Sequence, residues 1–376
     1  MDNPDDHAHW LRLVLTEGVG PQTARELLAR FGLPGKILDA GFPALQKCVP
    51  EKIAYALSGG TDPAMQAQID TTLAWAAQAG NHLLTLADDA YPQALLTIPD
   101  PPALLYAKGR LELLTRPALA IVGSRNATAQ GMQNAEHFAR TLSHSGMAVV
   151  SGLALGIDAA AHLGACSAEP GCGSTIAVTG TGLDLVYPAK HRALAHRIAE
   201  HGCLLSEYPL GTPAIASNFP RRNRLISGLS LGVLVVEGAL QSGSLITARS
   251  ALEQSREVFA IPGSIHSPLA KGCHRLIREG AKLVESAQDI LEELRWPQLP
   301  PVTAQTPTPC ESTELAGSDP ATARLLMATG HDPASVDQLA ERSGLAVAEV
   351  QAALLALEME GRIERLPDGR YQKYTH

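Results

Sequence analysis

Three arginines fall within four positions of the segment NFPRRNRLISG, which covers residues 218–228. Pro220 precedes them directly and suits the first position of a helix. Arg221, Arg222 and Arg224 would then stand in its first turn or so, where the positive end of the helix dipole disfavours each cation by roughly 0.3–1 kcal/mol. A bound polyanion would reverse that cost, so the cluster predicts a surface that binds phosphate groups.

The same cluster also has a structural interpretation. Acidic residues such as Glu207 or Glu237 could form internal salt bridges with the arginines. A mixed outcome is open as well, in which Asn223 or one arginine stabilises the fold and the others face outwards. The residue types are compatible with each of these arrangements.

Glycine and hydroxyl residues recur in the segments that follow the apolar stretches of the chain. Four such segments are GSRNATAQG (123–131), SGLALGIDAAAH (151–162), TGTGLDLVYP (179–188) and GALQSGSLITARSA (238–251). Small residues let a backbone approach a ligand closely, and helix N-termini bind phosphate oxygens. The G-x-G-x-x-G fingerprint of dinucleotide-binding proteins is absent at its expected place in the first segment.

The apolar stretches of the chain alternate with amphipathic ones, and the strands and helices that they predict determine where the glycine-rich segments lie. Strands are predicted at 118–123, 147–152, 174–180, 203–209, 231–238 and 257–263, and helices at 135–146 and 192–202. Buried apolar strands separated by helices are typical of a parallel, doubly wound α/β sheet. The strand-to-helix turns of such a sheet open at one edge, where ligands bind. We therefore expect the glycine-rich segments and the arginine cluster to meet at that edge.

Two other groups of reactive side chains are interpreted as structural. Ser151, Asp158 and His162 lack the strained G-x-S-x-G turn of a serine hydrolase, and an Asp–His pair four residues apart usually forms a structural hydrogen bond. The cysteines, at positions 48, 166, 172, 203, 273 and 310, match no usual zinc-ligand spacing. We therefore predict no catalytic residue, no metal site and no cofactor.

The overall composition is typical of a soluble protein. Hydrophobic residues make up 45% of the 376 positions, and the formal net charge is −8. Such an acidic chain would bind a polyanion through a local patch rather than a general basic surface. The N-terminus lacks the apolar core of a signal peptide, no apolar run is long enough to span a bilayer, and the cysteines fit a reducing compartment. We expect a cytoplasmic protein with no membrane contact.

Periodicity and composition divide the chain into four segments. Residues 1–78 are predicted to be helical, with a GVGP turn that either offers backbone N–H groups to a phosphate or simply joins two helices. Residues 79–296 carry the sheet, and residues 297–320, rich in proline and threonine, read as a linker. Residues 321–376 combine a helix, a helix–turn–helix pair and a hairpin turning at Asp368-Gly369, which is a winged-helix pattern.

The helix–turn–helix pair of this last segment is acidic. It carries one arginine, Arg342, against five acids: Asp337, Glu341, Glu349, Glu358 and Glu360. Such a pair is poorly suited to the major groove of DNA. We expect the segment to bind protein, or to bind DNA weakly through the hairpin arginines, which are Arg362, Arg365 and Arg370.

The chain resembles the DNA-processing protein A (DprA/Smf) family. The resemblance rests on GSRNAT, SGLALGIDAAAH, SEYPLGTP, NFPRRNRLISGLS, VVEGALQSGSLITARSALEQSREVFAIPG and GCHRLIREGA, in consistent order through about residues 85–290. It implies an extended Rossmann-like core with an N-terminal helical domain, of SAM or helix-hairpin-helix type, and a C-terminal winged helix. It also implies a homodimer that binds and protects incoming single-stranded DNA and loads the RecA recombinase onto it during natural transformation.

The motifs shared with this family imply which residues of the chain contact DNA. The implied DNA-binding residues are Gly123, Ser124, Arg125, Ser151, Gly152, Lys190, Arg221, Arg222, Asn223, Arg224, Ser242, Gly243 and Ser244.

Two other functions stay open at this point. An enzyme of the nucleoside-monophosphate phosphoribohydrolase type would use the same phosphate-binding edge, with Glu237 as the only candidate acid. The segment QSGSLITA, however, lacks the glycine pair of the corresponding turn in such enzymes. A winged-helix regulator would instead read duplex DNA through residues 321–376.

Overall fold

The structure, a computed structural model, describes residues 4–167, 172–296, 320–329, 333–366 and 369–373. These residues belong to two compact units, the first within 1–126 and 135–295 and the second within 127–134 and 296–376. Each unit has buried hydrophobic clusters of its own. No helix in the described segments has the length and apolar character needed to cross a membrane.

Helices form the N-terminal part of the first unit. They are α1 (Pro4–Leu15), α2 (Pro21–Phe31), α3 (Pro34–Asp39), α4 (Phe42–Leu45), α5 (Glu51–Ser58) and α6 (Pro63–Ala76). Their buried side chains, among them Trp10 and Leu27, belong to one hydrophobic cluster with Leu104 and Tyr106 of the sheet. The predicted helical segment is confirmed, and it packs directly on the sheet.

Nine strands of the described chain form one mixed sheet in the order β1-β2-β6-β5-β4-β3-β7-β8-β9. Their bounds are β1 (Asn81–Thr85), β2 (Leu104–Gly109), β3 (Ala118–Val122), β4 (Ala148–Ser151), β5 (Thr175–Val178), β6 (Cys203–Ser206), β7 (Gly232–Val235), β8 (Glu257–Ala260) and β9 (Lys282–Leu283). The six predicted strands are β3–β8, and all of them are parallel to their neighbours in this group. The antiparallel strands β1 and β2 and the short β9 were not predicted.

Helices cover both faces of this sheet. They are α7 (Ala129–His144), α8 (Ile157–Ala165), α9 (Arg192–His201), α10 (Asn218–Gly228), α11 (Gly243–Glu253), α12 (Lys271–Arg278) and α13 (Ala287–Glu293). Successive strand residues face opposite sides, because the period of a strand is two. In β5, for example, Ile176 and Val178 join one hydrophobic cluster and Ala177 joins the other. The doubly wound α/β prediction is therefore confirmed.

The order of the parallel strands reverses beside β3. From β3 the chain moves outward through β4, β5 and β6, and then returns to place β7 on the other side of β3. The connections that leave β3 and β7 diverge at this point and open a crevice at the carboxyl ends of the two strands. In open α/β sheets such a switch point is where ligands bind.

Within the second unit, the described residues between 320 and 373 form a winged helix, as predicted. It contains α14 (Pro320–Thr329), α15 (Val336–Ser343), α16 (Val347–Met359), β10 (Ile363–Arg365) and β11 (Tyr371–Lys373). Ser335 and Gln338 form a capping box at the start of α15, and Gly344 ends that helix with a left-handed φ of 65°. Of the predicted hairpin turn, Asp368 lies outside the described residues, and Gly369 has a φ of 82°.

Candidate nucleic-acid interface

The crevice between β3 and β7 contains a cavity of about 670 Å³, which we call the switch-point groove. Its walls are residues 122–126 after β3, residues of α10 between 219 and 226, and residues 239–247 around the start of α11. Three segments far apart in the chain, each singled out by its residue types, therefore meet at one place. The geometry supports the predicted ligand-binding edge.

Arg222 is the central cation of the switch-point groove. Its side chain is buried, with 4% of the residue exposed, and its Nε has no hydrogen-bond partner among the described residues. Burial lowers the pKa of Arg222 to about 10, and the nearby carboxylate of Asp158 opposes that shift. The guanidinium is therefore charged at neutral pH. An unsatisfied, buried cation facing a cavity is an arrangement that an anionic ligand would complete.

Asp158 and His162 hold the loop on which Arg222 lies. Asp158 Oδ2 accepts hydrogen bonds from the backbone N–H groups of Gly152 (3.1 Å) and Ala154 (3.3 Å). His162 Nε2 accepts from Leu153 N–H at 3.2 Å, so its Nδ1 carries the proton that Thr175 Oγ1 accepts at 2.6 Å. The expected Asp158–His162 hydrogen bond is wrong: the two side chains bond to the loop, not to each other.

The charge states of these two side chains follow from their burial. Burial lowers the pKa of His162 to about 3, so this ring is neutral at physiological pH. Burial also raises the pKa of Asp158, while the charge of Arg222 acts in the opposite direction. Ser151 is fully buried and donates its hydroxyl hydrogen bond to the Ile121 carbonyl at 2.7 Å. These contacts support the structural interpretation of the Ser–Asp–His group.

Gly152 is required by its contact with Arg222. A Cβ atom built at position 152 would lie 1.7 Å from Arg222 Nη1 and 2.8 Å from Asp158 Oδ2. Any larger residue would displace the guanidinium from its place over the loop. Gly152, in the segment SGLALG, thus leaves room for the guanidinium of Arg222. Gly152 itself does not line the groove.

An aromatic pair stands at the groove beside Arg125. The Arg125 guanidinium lies over the Phe219 ring at 5.9 Å, and the Phe219 and Tyr187 rings are 5.3 Å apart. Tyr187 is 49% exposed. Both aromatic residues line the groove, and neither was named among the predicted site residues. Their sequence signal was present in the segments NFPRR and VYPAK, but only the tertiary fold brings the two segments together.

The N-terminus of α11 forms the far rim of the groove. Ser242 is the N-cap, and its Oγ accepts a hydrogen bond from Ser244 N–H at 3.3 Å. Gly243 is the first helical residue, and its carbonyl oxygen lies 3.5 Å from Asn223 Nδ2, which donates to it. Free N–H groups and the helix dipole make such an end attractive to anions.

Arg221 and Arg224 lie outside the groove. Arg224 forms ion pairs with Asp100 (Nε to Oδ2, 3.0 Å) and Glu207 (Nη2 to Oε2, 2.5 Å). The side chains of Arg224 and Glu207 are only 12% and 6% exposed, respectively. Arg221 is exposed and lines a separate cavity of about 250 Å³, next to Glu207 and residues of α1 and α2. The mixed interpretation of the cluster is therefore the one that the contacts support.

The phase of α10 explains this division. The helix begins at Asn218, so Pro220 occupies its third position and the arginines lie in the second turn; the prediction that Pro220 is the first helical residue is wrong. Residues three apart share a face, as Arg221 and Arg224 do, and Arg222 lies 100° further round the helix from Arg221. Of the three arginines, only Arg222 lines the groove.

The structure thus brings together part of the predicted set. Eight of the predicted residues line the groove: Gly123, Ser124, Arg125, Arg222, Asn223, Ser242, Gly243 and Ser244. Ser151, Gly152, Arg221 and Arg224 have the other environments described above. Lys190 is exposed in a short 3₁₀ turn, Ala189–His191, and does not line the groove.

Family models match three parts of the chain. Residues 82–295 match "DNA recombination-mediator protein A", residues 306–369 match "DprA winged helix domain" and residues 4–50 match "DprA-like N-terminal HHH domain". The chain belongs to the DprA/Smf family. The switch-point groove lies within the segment that defines this family.

Individual DprA relatives are similar over most of their length. Protein Smf of Escherichia coli K12 is 44% identical over 307 residues, which are 80% of each chain. The DNA processing protein DprA of Streptococcus pneumoniae is 48% identical over 212 residues, 56% of this chain and 74% of the relative.

Solved DprA structures match the same core. The X-ray structure of DprA from Streptococcus pneumoniae has a TM-score of 0.61 at 40% identity, over 75% of this chain and 95% of that one. A DprA structure from Helicobacter pylori, described for its single-stranded DNA binding mode, has a TM-score of 0.51 at 32% identity, over 57% and 95% of the two chains.

Proposed function

We propose that the switch-point groove binds the backbone of single-stranded DNA, and that the protein protects incoming strands in the cytoplasm and loads the RecA recombinase onto them. The observation that carries the DNA part is Arg222, a buried guanidinium with an unpartnered Nε at the edge of a cavity. Arg125 and the N-terminus of α11 line the same cavity and add attraction for phosphate oxygens.

The aromatic pair favours a single strand over a duplex. Tyr187 and Phe219 line the cavity that holds the cations, and Tyr187 is half exposed. Bases are free to stack on such rings only when they are unpaired, and stacking accepts every base. Phosphate contacts combined with stacking predict binding that depends little on sequence.

The salt dependence of binding tests the DNA proposal. Two groove cations, Arg125 and Arg222, should neutralise about two phosphates per protomer, because Arg221 and Arg224 lie elsewhere. At about −0.7 per phosphate on a single strand, the log–log slope of affinity against salt should be roughly −1.4. Fluorescence anisotropy with labelled oligo-dT over a range of NaCl concentrations measures it, with a duplex of equal length as the control. A slope near zero, or equally tight duplex binding, would contradict the proposal.

Recombinase loading is supported by the family to which the chain belongs, whose model is described as a recombination mediator. A homodimer would double the phosphate contacts and would favour long strands through effective concentration. We expect the purified protein to accelerate RecA filament formation on single-stranded DNA already coated with single-strand binding protein. The rate of RecA-dependent ATP hydrolysis reports filament growth. An unchanged lag phase at saturating protein would refute the loading activity.

The residues that line the groove give less support to the alternative function, that of a nucleotide-processing enzyme. Among the described residues that line it, the acid is Asp158, and this carboxylate already accepts from two backbone N–H groups beside Arg222. A general base must come within hydrogen-bond reach of the proton that it abstracts, and Asp158 is only 7% exposed and bonds to the 152–154 loop through Oδ2. Glu237, the candidate acid from sequence, does not line the groove. We infer that the site binds its ligand without covalent chemistry.

A further inference from the structure

Helix α16 of the winged helix carries an apolar seam on its solvent-facing side. The seam consists of Ala348, Ala352, Leu355 and Met359, separated by four, three and four residues. This is the spacing at which side chains form one stripe that packs against another helix. Leu355 is 63% exposed and Met359 is 83% exposed.

The opposite side of α16 already forms the core of the unit. Val350, Ala353, Leu354 and Leu357 are buried there. The helix is therefore apolar on both sides, which is typical of a helix that is covered on both sides. The neighbouring α15 is different: it buries Leu339 and presents charged residues to solvent.

The flanks of the seam within the helix carry two glutamates, one glutamine, one alanine and no cation. With the seam residues in the a and d positions of a heptad, Glu349 is at an e position and Glu358 is at a g position. Glu360 follows the helix and pairs with Arg362 at 3.6 Å. The helix VAEVQAALLALEM contains no lysine or arginine. A DNA strand would be repelled by these carboxylates, although α16 holds the position of a recognition helix in the helix–turn–helix pair.

We infer that the α16 seam docks an amphipathic helix of a partner protein whose apolar stripe is flanked by lysine or arginine. Charge complementarity at the e and g positions supports this occupant, because these positions set partner choice between paired helices. A second copy of α16 would bring further glutamates and no cation of its own helix, so self-pairing is disfavoured. The seam spans about 17 Å at 1.5 Å per residue, a short contact that suits a reversible complex in the micromolar range.

Two synthetic helices test this inference with the full-length protein. Both carry leucine at the a and d positions of three heptads; one has lysine and the other glutamate at the e and g positions. In fluorescence anisotropy, the lysine peptide should bind with a micromolar Kd and the glutamate peptide at least ten-fold more weakly. The variant Leu355→Gln/Met359→Gln should lose at least ten-fold in affinity for the lysine peptide. The control Tyr55→Gln changes a residue of α5 that is 74% exposed, and it should keep wild-type affinity for the lysine peptide.

A charge exchange separates a docking site from non-specific attraction to an acidic protein. Glu349→Lys/Glu358→Lys should reverse the preference, so that the glutamate peptide binds more tightly than the lysine peptide. The inference is overturned if both peptides bind equally to the wild type, if the preference does not reverse, or if the Leu355/Met359 variant binds normally. It is also overturned if that variant loses self-association in sedimentation or loses duplex DNA binding, because the occupant would then be a second copy or DNA. Oligo-dT affinity is an independent readout of the switch-point groove and should be unchanged in every α16 variant.

Discussion

Replacement of Arg222 with glutamine is expected to weaken binding of oligo-dT by about 10- to 150-fold, the equivalent of the roughly 1.5–3 kcal/mol of a hydrogen bond to a charged group. The expected loss is large because this guanidinium is already desolvated and its Nε has no protein partner. A phosphate would therefore supply a missing interaction rather than compete with an existing one.

The matched control is Arg140→Gln. Arg140 is an exposed arginine of α7 that pairs with Glu136 and does not line the groove. The Arg140→Gln variant should change oligo-dT affinity by less than two-fold at moderate salt, since a single exposed charge contributes little to binding. Urea denaturation of both variants verifies that each is folded. Wild-type affinity in a folded Arg222→Gln protein would remove the groove from the DNA-binding surface.

Replacement of Arg224 with alanine is expected to act on stability instead. It would leave the carboxylate of Glu207, 6% exposed in its side chain, without its guanidinium partner. Breaking a buried pair in this way typically costs about 3–5 kcal/mol in the free energy of unfolding. Urea denaturation at pH 7.5 measures that loss, and the folded fraction should keep near wild-type oligo-dT affinity because Arg224 does not line the groove.

The pH dependence of this variant follows from the ionisation of Glu207. Burial already raises the pKa of Glu207, and Arg224 is the first of the charges that oppose it. Without Arg224, the folded pKa should rise further above the unfolded value, so folding favours the protonated acid. The stability deficit should therefore be largest at pH 7.5 and shrink as the pH falls toward the unfolded pKa. Glu207→Gln in the Arg224→Ala background should recover part of the loss at pH 7.5. A stable Arg224→Ala protein with lost DNA affinity would instead favour a groove role for this arginine.

The contrast between these two arginines illustrates what the sequence could predict and what it could not. Hydrophobic runs of four or five residues predict β3–β8, and the glycine-rich segments after them indicate the candidate ligand-binding edge. The roles of Arg222 and Arg224 depend on the rotation of α10, where each residue turns the helix by 100°. Pro220 lies two positions further into the helix than expected, and the segment is still helical. Which arginine forms an ion pair is decided by two acids distant in the chain, Asp100 before β2 and Glu207 after β6.

Other parts of the site required contacts that are distant in the chain. Tyr187 and Phe219 are separated by 32 positions, and their pairing depends on the packing of the loop that follows β5 against the start of α10. The strands β1 and β2 were missed because they are antiparallel and lie outside the strand–helix alternation that identified the others. Asp158 and His162 have the predicted structural character, yet both accept hydrogen bonds from backbone N–H groups of residues 152–154, and a backbone group gives no signal in residue type.

The contact between Gly152 and Arg222 links the evolutionary histories of the two positions. The space that a Cβ atom would need at position 152 is occupied by the arginine that faces the groove. A shorter residue at 222 would therefore remove the nearer clash of a substitution at 152, whereas the 2.8 Å approach to Asp158 Oδ2 would remain. The pair is an epistatic unit: each position limits the mutations that the other can accept, although 70 residues of chain separate them.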